Sequence, residues 1–231
     1  MLLGTAANVT AIVLGTLLGL LLKQRLPKRI TKLSTQGLGL VTALIGVQMM
    51  VSTQNVLIVL VSIVAGGVMG ELIHIEDRLN AFGVRIEKRF KRQRGTFAKA
   101  FVTSSLLYCI GPIAIIGALQ DGLRGDYSIL LTKSGLDGIA SIAFASTLGI
   151  GVLFSALPVL AYQGSITTAA SFLEPYLTTT IVNEMTATGG LLILGIALNI
   201  LQVTKIRVGN MLPAILVAAI LAGLLQNMRI P

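Results

Sequence analysis

The sequence predicts an all-α, polytopic transmembrane bundle of seven or eight spans, forming a single membrane domain over 1–231. Three observations carry that reading. Hydrophobic residues make up 54% of the chain against 12% charged, and mean hydropathy is +0.88, which excludes a soluble domain of this length. Seven apolar stretches approach the roughly 20 residues that a helical crossing needs. Basic residues gather in the connections between those stretches, as they do in membrane proteins with cytoplasmic loops.

In chain order the predicted spans are 4–22, 33–52, 56–75, 99–119, 136–161, 188–201 and 211–226. The first three occupy 1–76, a basic connection fills 77–98, and the rest lie in 99–231. The N-terminal apolar run has no preceding positive stretch, so it reads as a span and not as a secretory signal. Pro112, in the fourth span, frees the carbonyl of Tyr108 and predicts a kink there.

Five Lys or Arg fall within 23–32 and eight within 78–99. Both connections are therefore expected in the cytoplasm, which puts the N-terminus outside. The connection holding Asp121, Arg124, Asp126 and Lys133 is expected outside. In 77–99 the apolar residues Leu79, Phe82, Ile86 and Phe90 recur at spacings of three and four among Arg85, Lys88, Arg89 and Arg92. That pattern predicts an amphipathic helix at the inner surface, with anionic lipid headgroups as its partner. No stacking aromatics are interleaved with the basic residues, so nucleic acid is not expected as a partner.

The segment 162–183 is polar for a span: threonines and serines throughout, with Glu174-Pro175 at its middle. A carboxylate in hydrocarbon costs a few kcal/mol, and proline removes a helical hydrogen bond. Such a segment should line a cavity as a broken or re-entrant helix, or else lie outside as a loop. If it crosses, Lys205 and Arg207 fall inside and 15 of the 18 basic residues are cytoplasmic; if not, 14 are. Gly15 and Gly19 followed by basic residues resemble Gly66 and Gly70, and Gly190 and Gly195, which favours crossing if the three helix ends are equivalent. The same glycines, at small-xxx-small spacing, would also serve close helix packing or self-association into a homo-oligomer.

Candidate binding residues follow from chemistry and spacing. Ser134, Asp137 and Ser141 share a helical face, a carboxylate between hydroxyls that suits a hard cation or a proton. Asp137 could equally be a first-turn acid complementing its helix dipole. Asn183 and Glu184 precede Thr186, Thr188 and Gly189-Gly190; either could cap a helix, and Glu184 with Glu174 could coordinate or carry an ion. Glu71 is expected to pair with His74 or a loop arginine, and Asn8, Gln48 and Asn199 to form interhelical hydrogen bonds. Cys109 is the single cysteine and His74 the single histidine, so neither a disulfide nor a metal site is expected, nor any cofactor. No GxSxG, HExxH, P-loop or paired protease aspartates occur, and an enzyme is not expected.

Four groups of residues carry a resemblance: Gly4 to Asn8 leading to Gly15 and Gly19; the stretch from Ser134 to Gly151; Ser155 to Pro158 with Tyr162-Gln163-Gly164; and Glu184 with Gly189-Gly190. Together they resemble the YdfK/YqgA-like family of bacterial inner-membrane proteins, domain of unknown function 554. The resemblance covers nearly the whole chain and implies a multi-pass bacterial plasma-membrane protein. It implies no substrate and carries over no site residue. From the residues themselves the expected function is passage of a small ion or solute through a polar interior of Ser134, Asp137, Ser141, Glu174, Asn183 and Glu184. The alternative is a non-transporting membrane scaffold.

Overall fold

The computed structural model describes residues 2–23, 27–90 and 97–228. Arg25, Lys91, Arg92, Arg94 and Arg229 of the charge reading lie outside them, as do the side chains of Ile86, Lys88, Arg89 and Phe90. The described residues form twelve α-helices and a 3₁₀ turn, with no strand. The helices are α1 (Leu3–Lys23), α2 (Lys28–Met50), α3 (Val56–Leu72), α4 (Ile75–Phe90), α5 (Phe97–Cys109) and α6 (Pro112–Arg124). They continue with α7 (Ser128–Leu148), α8 (Gly151–Phe154), α9 (Ala156–Thr168), α10 (Ala170–Leu173), α11 (Thr179–Ile200) and α12 (Pro213–Met228). The 3₁₀ turn is Val208–Met211. Five helices are long and apolar enough to cross a membrane, or seven if each of two bent pairs, α3 with α4 and α5 with α6, is one span.

The breaks have local causes. Between α5 and α6 the axis turns by 59° where Gly111 takes φ +136° and Pro112 opens the next helix, the kink expected from Pro112. Between α3 and α4 it turns by 57°, with His74 at φ +54°. α4 then begins with Glu76 and Asp77, acids that suit a helix N-terminus. α3 is capped by Asn55, whose Oδ1 accepts from Leu57 N, and α11 by Thr178, whose hydroxyl accepts from Ile181 N.

Two expected boundaries are corrected. The span 136–161 is not one helix: α7 starts at Ser128, and Gly149, at φ +99° and ψ −157°, ends it in a conformation that a side chain would resist. Asp137 is consequently in the third turn of α7 and is no first-turn acid. The polar connection 121–133 shrinks to residues 125–127, since Asp121 closes α6 and Lys133 lies inside α7. The segment 162–183 has the break in its helix that Glu174-Pro175 predicts. It is helical as far as Leu173, turns at Glu174-Pro175-Tyr176, and becomes helical again at Thr179, so Glu174 is exposed at a turn instead of at mid-span.

The chain divides into two compact units, each made of interleaved segments. Unit 1 contains 1–38, 80–109 and 113–173. Here α1 lies along α7 in the same direction: Gly4 sits on Leu130, Gly15 on the Gly138 carbonyl and Gly19 on that of Ile142, and Lys23 Nζ donates to the Thr147 carbonyl at 3.0 Å. Such backbone approach is what small residues permit between membrane helices. At the start of α5, Gly151 rests on the Phe97 carbonyl, and near the end of α6 Gly122 rests on that of Thr167. Residues 151–173 therefore run alongside α5 and α6 from the same end to the same end. Ile12, Tyr108, Phe144, Leu148, Val152 and Val159 form the apolar core between these helices.

Unit 2 contains 39–79, 110–112 and 174–231. Its α3 and α11 are parallel, because Gln54 and Asn55 before α3 meet Glu184 near the start of α11, while Glu71 near the end of α3 meets Arg207 beyond the end of α11. Gly66 and Gly70 of α3 press on Ala214 and Asn210, and Gln226 accepts from Thr178, which makes α12 antiparallel to both. Gly39 on Leu201 and Gly46 on Leu194 make this part of α2 antiparallel to α11 as well.

Candidate functional site

In unit 1, helical spacing and close packing gather a buried polar group around Asp137. Lys133, one turn earlier on α7, donates to Asp137 Oδ2; the two residues are only 6% and 7% exposed. From α1, fully buried Asn8 donates through Nδ2 to Asp137 Oδ2 at 3.0 Å and to Gln163 Oε1 of α9 at 3.2 Å. A carboxylate only accepts, so Asn8 must turn its NH2 toward Asp137, and Gln163 must then present its oxygen to Asn8. That leaves Asn8 Oδ1 an acceptor and Gln163 Nε2 a donor, both buried without partners among the described residues.

The hydroxyls expected beside Asp137 are otherwise engaged. Ser134 donates back to the Leu130 carbonyl of its own helix at 2.6 Å, and Ser141 shares a 2.8 Å hydrogen bond with the hydroxyl of buried Tyr108 on α5. Lys133, the partner sequence reasoning missed, sits four residues before Asp137, the same helical offset that singled out Ser141. Further buried atoms lacking partners are Thr5 Oγ1, Asp121 Oδ2 and Thr167 Oγ1.

In unit 2, Glu184 occupies the second turn of α11 and is fully buried. It does not cap its own helix, and neither does Asn183, because Thr178 does. Glu184 instead receives the turn before α3: the Thr53 hydroxyl and Gln54 N–H each donate at 2.7 Å and Asn55 N–H at 3.1 Å. Three donors at a neighbouring helix N-terminus are a favourable setting for a carboxylate. Asn183 contributes its backbone carbonyl, which accepts from Ser52 at 3.2 Å. Beside Glu184 a cavity of about 320 Å³ is lined also by Gln54, Asn55, Thr180 and Gln226, with Ile58 and Leu225 supplying apolar wall.

At the other end of unit 2, Arg207 bridges Glu71 at 2.7 Å and Asp77 at 2.8 Å, so Glu71 does find a loop arginine. Asn210 donates to Glu71 and accepts from Glu76 N–H at 2.7 Å. The Asp77 hydrogen bond holds the Arg207 pKa above its ordinary value. Asn199 ties the loop after α11 by bonding Ile206 N–H and carbonyl and the Thr204 hydroxyl. Among the described residues no three His, Cys, Asp or Glu side chains form a metal-holding group. The structure thus brings Asp137 together with Ser141 through one helix face, places Asn183 and Glu184 in the other unit, and leaves Glu174 exposed.

Comparison with known proteins bears on the whole chain. Residues 3–223 match the family model described as "Protein of unknown function (DUF554)". The chain is 34% identical over 218 residues to "Uncharacterized membrane protein YdfK" of Bacillus subtilis (strain 168), covering 93% of each. It is also 34% identical over 223 residues to "Uncharacterized protein YqgA" of Escherichia coli (strain K12), covering 94% of this chain and 95% of that one. No solved structure matches it.

Proposed function

Because the chain belongs to the DUF554 family, as a multi-pass protein of the bacterial inner membrane, we propose its role from its own buried chemistry: passage of a small ion or solute. The observation that carries this reading is the Lys133–Asp137 pair, met by Asn8 and Gln163 within the helices of unit 1. Charged side chains at the middle of a membrane helix cost about 2.5–3.5 kcal/mol each even on the lenient insertion scale. Such groups typically mark ion or proton routes. Asp137 is the coordinating or proton-carrying group, with Ser141 one turn on. Glu184, with Asn183 beside it, borders the cavity of unit 2. Glu174 and Ser134 have no part in this route, being exposed in a turn and bonded to the local backbone, respectively.

The accompanying topology has eight crossings: α1, α2, α3, the bent pair α5–α6, α7, the broken segment α8–α10, α11 and α12, with both ends outside. The parallel directions of α3 and α11 support it, since they require an even number of passages from the start of one to the start of the other. So does Arg207, whose partners Glu71 and Asp77 would share the inner side with it. Cysteines introduced at Tyr176 and Thr204 in a Cys109-free protein should label from outside and inside respectively; labelling of both from one side refutes the eighth crossing.

The function is tested by flux into proteoliposomes of the pure protein, challenged with sodium, potassium, protons, divalent cations and small organic anions. A flux present in the wild type and lost in Asp137→Asn supports passage. Flux equal in the two refutes the role of Asp137. A second reading, a membrane scaffold, draws on the fact that Asp137, Glu184 and Glu71 each have partners within the chain. Silence across the whole panel, with the variant and wild type equally well folded, would favour it.

A further inference from the structure

Asp121 stands apart from the other buried acids. It is 1% exposed, its Oδ2 has no hydrogen-bond partner, and no ion pair is made to it among the described residues, although Arg124 follows one turn on. Leaving a buried carboxyl unpaired is costly, and an intramembrane acid of this kind is a functional-site hypothesis by default. Its neighbour Gly122 rests on the backbone carbonyl of Thr167, which brings α6 against α9 at this level, and Gln163 is one turn before Thr167 on α9. Gln163 bonds to Asn8, and Asn8 to Asp137. Thr5 stands three residues before Asn8 on α1. Along this file Asp121, Thr167, Gln163, Asn8 and Thr5 each hold a buried polar atom without a partner, contributed by three helices. One turn past Asp137 the hydroxyls of Ser141 and Tyr108 satisfy each other, and Ile12, Phe144 and Val152 belong to the apolar core there, with Thr16 Oγ1 of α1 the next buried atom without a partner.

We infer that this file is a proton half-channel, running from the α6–α7 end of unit 1 to Asp137 and stopped there by the apolar core. The inference rests on the transport reading and names its ion. A proton binds the Asp121 carboxylate, then passes through water held between the orphaned atoms of Thr167, Gln163 and Asn8, each of which can bond such a water. Asp121 returns to a carboxylate, and an O–H bond forms on Asp137. That residue becomes neutral and releases Lys133 from its ion pair; nothing is oxidised or reduced. The groups facing Asp137 are Lys133 on its own helix, Asn8 from α1, Gln163 reached through Asn8, and Tyr108 and Cys109 of α5, Tyr108 through Ser141. Lys133 is the sole cation among them, so arrival of the proton at Asp137 is the event that frees an ammonium inside unit 1.

The test reads protonation and not flux. Infrared spectra of the full-length protein in lipid bilayers, followed after a drop in pH, should show a carboxylic-acid band that Asp137→Asn removes. In Asp121→Asn and in Thr167→Val that band should rise about a hundredfold more slowly than in the wild type, the scale expected when a positioned proton-transfer group is lost. Thr167→Val, nearly isosteric, keeps the test valid should Asp121→Asn fold poorly. A wild-type rate in either folded variant overturns the half-channel, as does absence of any Asp137 band over the pH range in which the protein stays folded. Substrate flux that persists alongside such a result would leave the transport reading intact.

Discussion

Replacing Lys133 with methionine removes the ammonium from a pair whose two members are 6% and 7% exposed while keeping most of the side chain's volume. Breaking a buried pair by removing one partner costs about 3–5 kcal/mol, because the remaining charge stays buried. In Lys133→Met the carboxylate keeps the Asn8 N–H, and a hydrogen bond to a charged group contributes about 1.5–3 kcal/mol, so the low end of that range, about 3 kcal/mol, is expected. In Asp137→Asn the stranded group is the ammonium, whose carboxylate acceptor is gone, and the high end, about 5 kcal/mol, is expected. The double variant strands neither charge, and the amide introduced in place of the Asp137 carboxylate can still bond to Asn8, so it should lie within about 1–2 kcal/mol of wild type. The cycle then yields a coupling of about 6 kcal/mol, measurable by denaturant unfolding in mild detergent. Single variants that add without coupling would refute the pair, and with it the argument that Asp137 is held as a charged group.

Gly70→Ala would drive a Cβ into the Asn210 carbonyl, a backbone atom that cannot step aside, so destabilisation of about 3 kcal/mol or more is expected in the same unfolding assay, against a gain of up to about 1 kcal/mol for Gly37→Ala, a position inside α2 that meets nothing within 4 Å. Glu184→Gln turns one accepting oxygen into a donor facing either the Thr53 hydroxyl or the N–H groups of Gln54 and Asn55, and should cost about 2 kcal/mol. Its mark should be faster amide exchange at residues 53–57, read by mass spectrometry; unchanged exchange would contradict the cap. Asp126 has its pKa held below the usual carboxylate range by the Ser128 hydroxyl and N–H. A depressed folded pKa adds stability above the ordinary carboxylate range that is lost as pH falls through the lowered value. Ser128→Ala, which keeps the N–H and loses the hydroxyl, should therefore lower the melting temperature on the neutral and alkaline sides, flatten the slope on the acid side, and leave the values below the lowered pKa unchanged.

Membrane helices were legible in the sequence because apolar length is a direct physical requirement of the bilayer. The kink at Pro112 was legible for the same kind of reason, a missing N–H. Boundaries in 121–188 were not, because buried Asp121, Lys133 and Asp137 look like connection or helix-end residues to any rule based on hydropathy. It is the packing of other helices over them that makes them interior. Glu174 misled for the converse reason: proline and a carboxylate break a helix equally well at mid-membrane and in an exposed turn. The glycine pairs are instructive because two expectations attached to them separate. Gly15 and Gly19 press on a helix parallel to their own, whereas Gly66 and Gly70 press on an antiparallel one. A flat face admits either direction, so the shared spacing records close approach and not equivalent partners.

The three buried acids differ in what they could do. Glu184 accepts three hydrogen bonds from a turn that positions the next helix, and moving any of them would disturb α3. Asp137 is held by one ammonium and one amide, both at the ends of side chains that can rotate away without moving a helix. Asp121 has an Oδ2 with no hydrogen-bond partner among the described residues. A group that binds and releases an ion repeatedly must change partners at low cost in backbone rearrangement, and on that criterion Asp121 and Asp137 suit the task while Glu184 suits a hinge or wall. The sequence ranks these acids by depth alone; under the proposed transport reading their partners reverse the order, favouring the faces of α1, α6, α7 and α9 in unit 1 over the segment around Glu174 and Glu184.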